Sequence, residues 1–383
     1  MRKSNLLFGM MLLFCLGGAI SCQEKKQGIE GTLGEVKATK MYLYKVMNEV
    51  LNYHSVIDST EVVDNHFFFA TDSLPSQMFY IATNEGLGGY VFWEPGNVKI
   101  KPEKVSQLGI TWNVKGSELD KKYREYVAVE RKETRQDEQD SLAILFYKKR
   151  DENNRQEMER LKNESLEIHD IGQEAYYTLY PKWVEKNADN LFGPYLYYSR
   201  EFCNRSFRFL EIIENERKFL DTTFKGDALN SYYYKMMKTQ LEEVSHTVIG
   251  AIPPEIEGTD PNGNPIKLSD FRGKYVIVDF WDSYCKYCRA ETPNLKKALE
   301  LYGKKGLTIL GVSFDFKKED WLNAIEEDGS TWNHMMLPKK NKVTEQYRIQ
   351  GIPYIILLNP EGKIVEVDLR GGNIFQAPGN YLK

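Results

Sequence analysis

The pattern of hydrophobic and polar positions divides the chain into three regions. Over residues 28–117, short apolar and β-branched stretches such as MYLYKV, HFFFA, MFYIA, GYVFWE and NVKIK are separated by Asn, Asp, Gly and Pro clusters. Stretches of this kind, bounded by turn residues, are typical of β-strands. The pattern therefore predicts a small antiparallel β-domain in this part of the chain.

The region 118–245 is predicted to be helical. No Gly or Pro occurs from Ser117 to Ile171, and 13 of the 21 residues from Asp120 to Asp140 are charged, with both signs represented. Continuous mixed charge without helix breakers indicates long, exposed helices. Tyr, Phe and Trp then become frequent, which favours packing between helices over a ligand site. A Pro-Pro pair at 253–254 marks a linker.

The last region, 246–383, has the pattern of an α/β domain. Three continuous apolar runs are KYVIVDFW from Lys274, LTILGVSF from Leu307 and YIILL from Tyr354, and runs of this kind form strands buried on both faces. Segments with helical character follow the first two runs, and a Gly-Lys turn precedes Ile364–Val367. The order strand, helix, strand, helix, hairpin predicts a sheet covered by helices.

Length, charge and composition narrow the class of protein. The 383 residues are enough for two or three domains. A net charge of −4, from 51 basic and 55 acidic residues, excludes a strongly basic nucleic-acid-binding protein. The mean hydropathy of −0.52 excludes a polytopic membrane protein. Five cysteines are too few for a disulfide scaffold, and the isolated Cys203 is interpreted as a buried apolar residue.

Residues 1–21 have the pattern of an export signal. A basic pair precedes an uncharged apolar run from Leu6 to Ile20, which is shorter than the roughly 20 residues that a spanning helix needs. The run ends at Cys22 in a sequence that resembles a bacterial lipobox, although Ala19 stands where Leu is usual. We expect a lipoprotein anchored in the cell envelope and facing the periplasm, with the inner and outer membranes both open. The alternative is cleavage near Ser21 and a soluble exported protein.

A C-x-x-C pair, Cys285 and Cys288, stands where a predicted buried strand meets a predicted helix. Such a pair is a redox motif, because the free N–H groups and the dipole at a helix start stabilise a thiolate. The outer Cys285 would attack a substrate disulfide, and Cys288 would resolve the mixed disulfide. A zinc site lacks two further ligands, and haem attachment would need His where Arg289 stands. No metal or bound cofactor is expected, and a plain structural disulfide remains the alternative.

Residues 246–383 resemble the TlpA/ResA-type thiol–disulfide oxidoreductases of the thioredoxin-like superfamily. The markers are Gly-Asn-Pro at 263–265, the run LSDFRGK at 268–274, Phe280-Trp281, the C-x-x-C pair and Gly-Ile-Pro at 351–353. The region 28–117 resembles the DUF4369-type β-domain of envelope lipoproteins that carry a thioredoxin-like domain, for which no chemistry is assigned. The resemblance implies a thioredoxin-like fold for about a third of the chain, with dithiol–disulfide exchange as its activity.

The resemblance also implies roles for single residues. Cys285 matches the nucleophile, and Cys288 matches the resolving cysteine. Asp279 matches a buried acid that helps to deprotonate the resolving thiol, and a strand-end Asp with structural hydrogen bonds is the alternative. Glu291 matches a glutamate near the sulfurs of ResA-like reductases, with an ordinary helix glutamate as the alternative.

The predicted substrate side of the site comprises Trp281, Ile352 and Pro353. By resemblance Pro353 is the cis-proline that faces the disulfide, so that backbone groups of Ile352 are free to pair with a substrate chain. Trp281 is assigned to packing, with a share in covering the sulfurs. The Lys286-Tyr287 pair departs from the Gly-Pro or Glu-Pro common in the family and leaves the direction of electron flow open, although family membership favours a reductant.

The predicted function is thiol–disulfide exchange with other exported proteins in the cell envelope. The implied partners are protein thiols or disulfides, a membrane or periplasmic thiol reductase as electron donor, and the membrane through a lipid anchor. One alternative is a thiol peroxidase of the AhpC/TSA type, but Val278 and Asp282 stand where its P-x-x-x-T-x-x-C pocket needs Pro and Thr. Another is a non-catalytic binding lipoprotein with an inert thioredoxin-like domain, which predicts that Cys285 is buried under the helical region.

Overall fold

The computed structural model of the chain describes residues 27–48, 53–71, 73–106 and 109–383. The predicted signal peptide and the predicted lipidation site at Cys22 lie outside these residues. Within the described ranges, no helix is both long enough and apolar enough to span a membrane. The chain divides into two compact units. The first holds most of the residues before Glu118, and the second holds residues 118–383 with two short earlier segments.

The residues before Glu118 form strands. They are β1 (Gly28–Thr32), β2 (Lys40–Asn48), β3 (Tyr53–Glu61), β4 (His66–Ala70), β5 (Gln77–Thr83), β6 (Gly88–Trp93), β7 (Asn97–Ser106) and β8 (Gly109–Lys115). Two four-stranded sheets result, with strand orders β4-β1-β7-β8 and β3-β2-β5-β6. Alternate residues point into one core, as Phe67 and Phe69 do from β4. The predicted β-domain is confirmed, although β1 and β7 pair in parallel.

A helical region follows, as predicted. Its helices are α1 (Glu118–Glu133), α2 (Gln136–Asp151), α3 (Arg155–Lys186), α4 (Phe192–Arg200), α5 (Leu210–Thr223) and α6 (Tyr232–Val244). The stretch without Gly or Pro is broken at Arg135 and at Asn153, each with φ of +53°. Aromatic side chains pack the helices together, with Tyr195 and Tyr233 ring centroids 5.2 Å apart.

The remaining residues form the α/β region. Its strands are β9 (Glu257–Thr259), β10 (Pro265–Lys267), β11 (Tyr275–Trp281), β12 (Leu307–Ser313), β13 (Asn333–Met336), β14 (Tyr354–Leu358) and β15 (Ile364–Glu366). Its helices are α7 (Lys286–Ala290), α8 (Thr292–Tyr302), α9 (Lys318–Asp328), α10 (Val343–Gln346) and α11 (Asn373–Gln376). The seven strands form one sheet in the order β10-β9-β13-β12-β11-β14-β15. The predicted α/β thioredoxin-like domain is confirmed.

The central strands of this sheet are apolar throughout because both faces are covered. Val278 on β11 faces one core cluster, and its neighbour Ile277 faces the other, against α8 and the C-terminal helices. β11 runs parallel to β12 and antiparallel to β14. The carboxyl ends of β11 and β12 therefore lie side by side, and the C-x-x-C segment begins at that edge.

Candidate active site

The cysteine pair lies at the junction of β11 and α7. Cys285 is the residue before α7, and its sulfur forms a disulfide with Cys288, with an S–S distance of 2.04 Å. Cys288 is 3% exposed, whereas Cys285 is half-buried. The Cys288 N–H donates to the Cys285 Sγ at 3.1 Å. Cys285 is therefore the outer sulfur, in the order that the sequence predicts.

An apolar floor supports the disulfide. Trp281, Cys288, Trp321 and Ala324 form one buried cluster, and Cys285 and Ile352 pack against it. The Ile352–Pro353 peptide bond is cis. The structure thus brings together the two cysteines and the predicted substrate-side residues Trp281, Ile352 and Pro353.

Asp315, which follows β12, holds the segment that leads to Cys285. Its carboxylate accepts hydrogen bonds from the Ser283 backbone N–H at 3.1 Å and from the Ser283 hydroxyl at 2.5 Å. The Ser313 hydroxyl donates to the same carboxylate at 2.7 Å. Sequence reasoning missed this residue. The available signal was an acid directly after a buried parallel strand, at the edge where the cysteines were already placed.

Arg289 fixes the C-x-x-C helix from the other side. Its guanidinium donates to both oxygens of Asp328 at the end of α9, at 3.0 and 2.6 Å, and to Glu327 at 2.9 Å. Bidentate pairs of this kind define orientation as well as distance. The helix that carries Cys288 is thereby tied to α9, which also supplies Trp321 to the floor of the site.

Asp279 lies in the interior behind the cysteines. It is 5% exposed, and its Oδ1 has no hydrogen-bond partner among the described residues. Burial, together with the smaller effect of the Glu291 charge, raises the pKa of Asp279 to about 7, and Arg370 acts in the opposite direction. Asp279 and Trp281 project from the same face of β11, because they are two residues apart on a strand. A buried acid that titrates near neutrality suits proton transfer.

Glu291 stands between α7 and α8, and its contacts are with a loop and a side chain. Its two carboxylate oxygens accept the Gly371 backbone N–H at 3.0 and 3.1 Å, and the Asn294 amide donates to one of them at 2.7 Å. Glu291 therefore holds the loop after β15 in place. The negative charge of Glu291 also raises the pKa of Asp279. This electrostatic effect is what connects Glu291 to the site.

The surface around Cys285 is rich in exposed aromatic side chains. Tyr284, Tyr287 and Phe316 are 72%, 81% and 72% exposed. A groove of about 430 Å³ begins at Ile352 and passes between the loops after β12 and β13. The groove is lined by the side chains and backbone of Asp282, Phe314, Asp315, Phe316, Leu337, Pro338, Lys339, Asn341, Thr344, Ile349, Gln350, Gly351 and Ile352.

Cys203 lies in the helical region, far from the C-x-x-C pair in the chain. Within the described ranges, no three His, Cys, Asp or Glu side chains are grouped so that they could hold a metal ion. Cys203, on the 3₁₀ turn after α4, is half-buried and not disulfide-bonded. Its thiol donates to the Ser199 carbonyl at 3.5 Å. Cys15 and Cys22 lie outside the described residues.

Two families of known proteins match parts of the chain. Residues 249–367 match the AhpC/TSA family, and residues 28–123 match a domain of unknown function, DUF4369.

Similar relatives share the C-terminal part. A stretch of 135 residues is 30% identical to the thiol-disulfide oxidoreductase ResA of Bacillus thuringiensis (strain Al Hakam) and covers 35% of this chain and 77% of that protein. ResA of Bacillus subtilis is 29% identical over 140 residues, which are 37% of this chain and 76% of that protein. The crystal structure of the thioredoxin domain of a Bacteroides vulgatus thiol-disulfide oxidoreductase is 47% identical, with a TM-score of 0.35, and covers 36% of this chain and 99% of that one.

Proposed function

Because the chain belongs to the family of ResA-like thiol–disulfide oxidoreductases, we propose that its Cys-Lys-Tyr-Cys motif reduces disulfides of other exported proteins. The observation that carries this proposal is the difference in accessibility between the two sulfurs. Cys285 is half-buried at the surface, and Cys288 is enclosed in the apolar floor. The outer sulfur meets the substrate, and the inner one is protected until the mixed disulfide has formed.

The exchange proceeds in two displacements from the reduced protein. The Cys285 thiolate attacks one sulfur of the substrate disulfide, and the other substrate sulfur leaves as a thiolate. The Cys288 thiol then loses its proton, and its thiolate attacks the Cys285 sulfur, which releases the second substrate thiolate. Two electrons have passed to the substrate, which takes up two protons from solution, and the Cys285–Cys288 disulfide of the structure remains. A partner thiol reductase then returns two electrons to the pair.

In this cycle, Asp279 is assigned as the base that accepts the proton of the Cys288 thiol. Its carboxyl is buried on the face of β11 that carries Trp281, and Trp281 shares the buried cluster with Cys288. Its pKa of about 7 lets the carboxylate accept a proton at neutral pH and return it when the disulfide is reduced again.

The exposed aromatic surface supports a polypeptide substrate. Phe316 lines the groove, Tyr284 and Tyr287 are exposed on either side of Cys285 in the chain, and aromatic side chains give large contact areas at low entropic cost. The groove that begins at Ile352 would accept an extended segment next to the substrate cysteine. The substrate class is an unfolded or partly folded protein with apolar residues near its disulfide.

The site of action in this proposal is the cell envelope, with the protein anchored through lipid on Cys22 and facing the periplasm. The supporting observation is the signal-like sequence of residues 1–21. In cells fed a radiolabelled fatty acid, the wild-type protein should carry label and a Cys22→Ser variant should not. Equal labelling of the two proteins would overturn the anchor.

An insulin-reduction assay with dithiothreitol as electron donor tests the chemistry. Cys285→Ser should abolish turnover, and Cys288→Ser should trap substrates as mixed disulfides that a reductant releases. Cys203→Ser is the matched control and should retain wild-type turnover. Activity that survives in Cys285→Ser would disprove the mechanism.

A measured reduction potential tests the direction. A reductant should have a potential near the roughly −270 mV of thioredoxin, whereas a value near about −120 mV, as in DsbA, would make the protein an oxidant. Hydrogen peroxide offered with a thiol donor is the third assay. Rapid peroxide turnover would favour the AhpC/TSA-type peroxidase over disulfide exchange.

A further inference from the structure

Unpaired polar atoms are concentrated behind the disulfide. Among the described residues, eight buried side-chain nitrogen or oxygen atoms lack a hydrogen-bond partner, and six of them lie in this one place. They are Asp279 Oδ1, both ring nitrogens of His334, and the indole Nε1 atoms of Trp281, Trp321 and Trp332. An unpaired buried polar atom costs about 1 to 3 kcal/mol, so native proteins satisfy such atoms, often with internal water.

His334 is at the centre of this group. It is 4% exposed and lies on β13, with its ring centroid 6.0 Å from that of Trp281, 6.5 Å from Trp321 and 5.7 Å from Trp332. Burial lowers the pKa of His334 to about 4, and the nearby Ser330 backbone offsets part of this shift without forming a well-aligned hydrogen bond. The ring is therefore neutral, with one donor and one acceptor nitrogen.

The sheet register places His334 in a row with Asp279. Asp279 on β11 pairs with Gly311 on β12, and Gly311 pairs with His334 on β13. Residues paired across adjacent strands project from the same face of a sheet. Asp279 and His334 therefore flank Gly311 on the face that carries the cysteines.

The missing side chain of Gly311 makes room for this polar group. A Cβ atom at Gly311 would lie 2.9 Å from His334 Nδ1 and 3.1 Å from Trp281 Nε1. The two nitrogens thus meet above a position without a side chain, next to the strand of Asp279. The His334 and Trp281 rings therefore pack directly onto Gly311, and their unpaired nitrogens, together with the unpaired Asp279 oxygen, are the kind of buried polar atoms that an internal water satisfies.

From this juxtaposition we propose that His334 is a positioning residue for disulfide exchange, which acts on the carboxyl of Asp279 through a water held among these unpaired atoms. The water donates a hydrogen bond to the Asp279 carboxylate and is itself oriented by His334 and Trp281. A hydrogen bond to the charged form keeps Asp279 able to accept the Cys288 proton at neutral pH. The other charged groups that act on Asp279 are Glu291, before α8, and Arg370, in the loop after β15. This proposal rests on the proposed function and adds a residue to its second displacement.

Ellman's reagent separates the two displacements in one stopped-flow trace. The reduced full-length protein attacks the reagent through Cys285 and releases one thionitrobenzoate. Cys288 then attacks Cys285 in the mixed disulfide and releases the second, and its proton passes to Asp279. A Cys285→Ser, Cys288→Ser double variant gives the background from the remaining cysteines, which is subtracted.

His334→Phe should slow the second phase about threefold to tenfold at pH 7 and move its pH profile to higher pH, because the Asp279 carboxylate loses a hydrogen bond. The first phase should keep its wild-type rate. Gly311→Ala, which retains the histidine and forces its ring away from this position, should have the same effect. His334→Gln, which keeps polar atoms in the ring's place, should restore much of the rate.

The exposed His169 on α3 supplies the control, since His169→Phe should leave both phases unchanged. An unaltered second phase in both His334→Phe and Gly311→Ala would overturn the proposal, as would an equal slowing of both phases, which indicates a merely structural role. If the wild-type protein shows no fast reaction at Cys285, the proposed function itself fails, and this inference fails with it.

Discussion

Two buried carboxyl groups, Glu216 in the helical region and Asp279 in the α/β region, have opposite surroundings. Glu216 accepts the Tyr197 hydroxyl at 2.5 Å and forms an ion pair with Arg205 at 3.0 Å. Asp279 leaves Oδ1 without a partner among the described residues. Both are nearly inaccessible to solvent, at 2% and 5% exposure. The hydrogen-bond and ion-pair partners of the two carboxyl groups are therefore a clear difference between them.

Burial is the largest cause of the raised pKa in both groups, and the partners modify it. Burial raises the pKa of Glu216, and its hydrogen bond from Tyr197 and the charge of Arg205 act against that rise. For Asp279, burial and Glu291 act together and raise the pKa to about 7. A paired buried acid holds helices together, whereas an unpaired one stores a proton that chemistry can use. The comparison distinguishes a paired buried acid from an unpaired one by a criterion that does not depend on the cysteines.

The largest expected effect is a gain in stability when Asp279 is made neutral. The folded-state pKa of about 7 lies above the unfolded value near 3.8. The contribution of protonated Asp279 to the free energy of unfolding is therefore fully present below about pH 4 and is lost as the pH rises towards 7. Asp279→Asn should therefore raise the free energy of unfolding of the oxidised protein at pH 8 by about 4 kcal/mol.

Urea unfolding at two pH values measures this effect. The advantage of Asp279→Asn over the wild-type protein should grow by about 3 kcal/mol between pH 5 and pH 8. His334 is present in both proteins, so its own titration cancels in the difference. A variant that is no more stable than the wild-type protein at pH 8 would show that Asp279 is a structural acid like Glu216.

Substitution of Glu216 is expected to lower the free energy of unfolding, the opposite of the effect expected for Asp279→Asn. Glu216→Ala leaves the buried Tyr197 hydroxyl without its acceptor, so the free energy of unfolding should fall by about 2 to 3 kcal/mol at pH 8. Glu216→Gln keeps an acceptor for Tyr197 and should stay within about 1 kcal/mol of the wild-type protein. Insulin reduction by the folded variants should be unchanged. A gain in stability for Glu216→Ala would remove the distinction between the two carboxyls.

A smaller effect should come from Glu291, whose charge raises the pKa of Asp279. Glu291→Gln keeps an acceptor for the Gly371 N–H and removes the charge, so the pKa of Asp279 should fall. Carbon-13 NMR titration of the carboxyl group measures that shift directly. Glu300→Gln, on the exposed face of α8, is the matched control and should leave the titration unchanged. A higher pKa in Glu291→Gln would contradict the assignment.

The smallest expected effect concerns the exposed aromatic surface. Tyr287→Ser should raise the KM for insulin about threefold with little change in kcat, because it removes contact area and no reacting group. Its stability should stay within about 0.5 kcal/mol of wild type, as for most surface substitutions. Tyr177→Ser, at a 62% exposed position on α3, should leave the KM unchanged. Equal KM values for wild type and Tyr287→Ser would place the substrate elsewhere.

Much of the fold could be predicted from local patterns. The strand over Tyr354–Leu358 has the predicted bounds, and the apolar runs from Lys274 and Leu307 became β11 and β12 with ends shifted by one residue. Strand β13, of four residues, and the short β9 and β10 were missed, because they are too short to show a period. The helix breaks at Arg135 and Asn153 were missed because neither Gly nor Pro marks them.

The site could be predicted only in part, for a related reason. Cys285 and Cys288 are close in the chain, and a motif with fixed spacing reports their chemistry. Asp315 follows β12 and His334 lies on β13, both far from the cysteines in the chain, and neither belongs to a local pattern. Their relation to the cysteines depends on strand order and register, which are decided by the packing of the whole sheet.

The amino-acid sequence by itself determined the redox pair, the strand-to-helix junction that carries it and the sequence of β, helical and α/β regions, because each of these is written in neighbouring residues. Only the tertiary structure decided which buried carboxyl is paired and which is not, and that His334 and Asp279 flank the same glycine. Pairing and desolvation depend on atoms brought together from distant parts of the chain, and it is these that set the energy of a buried charge.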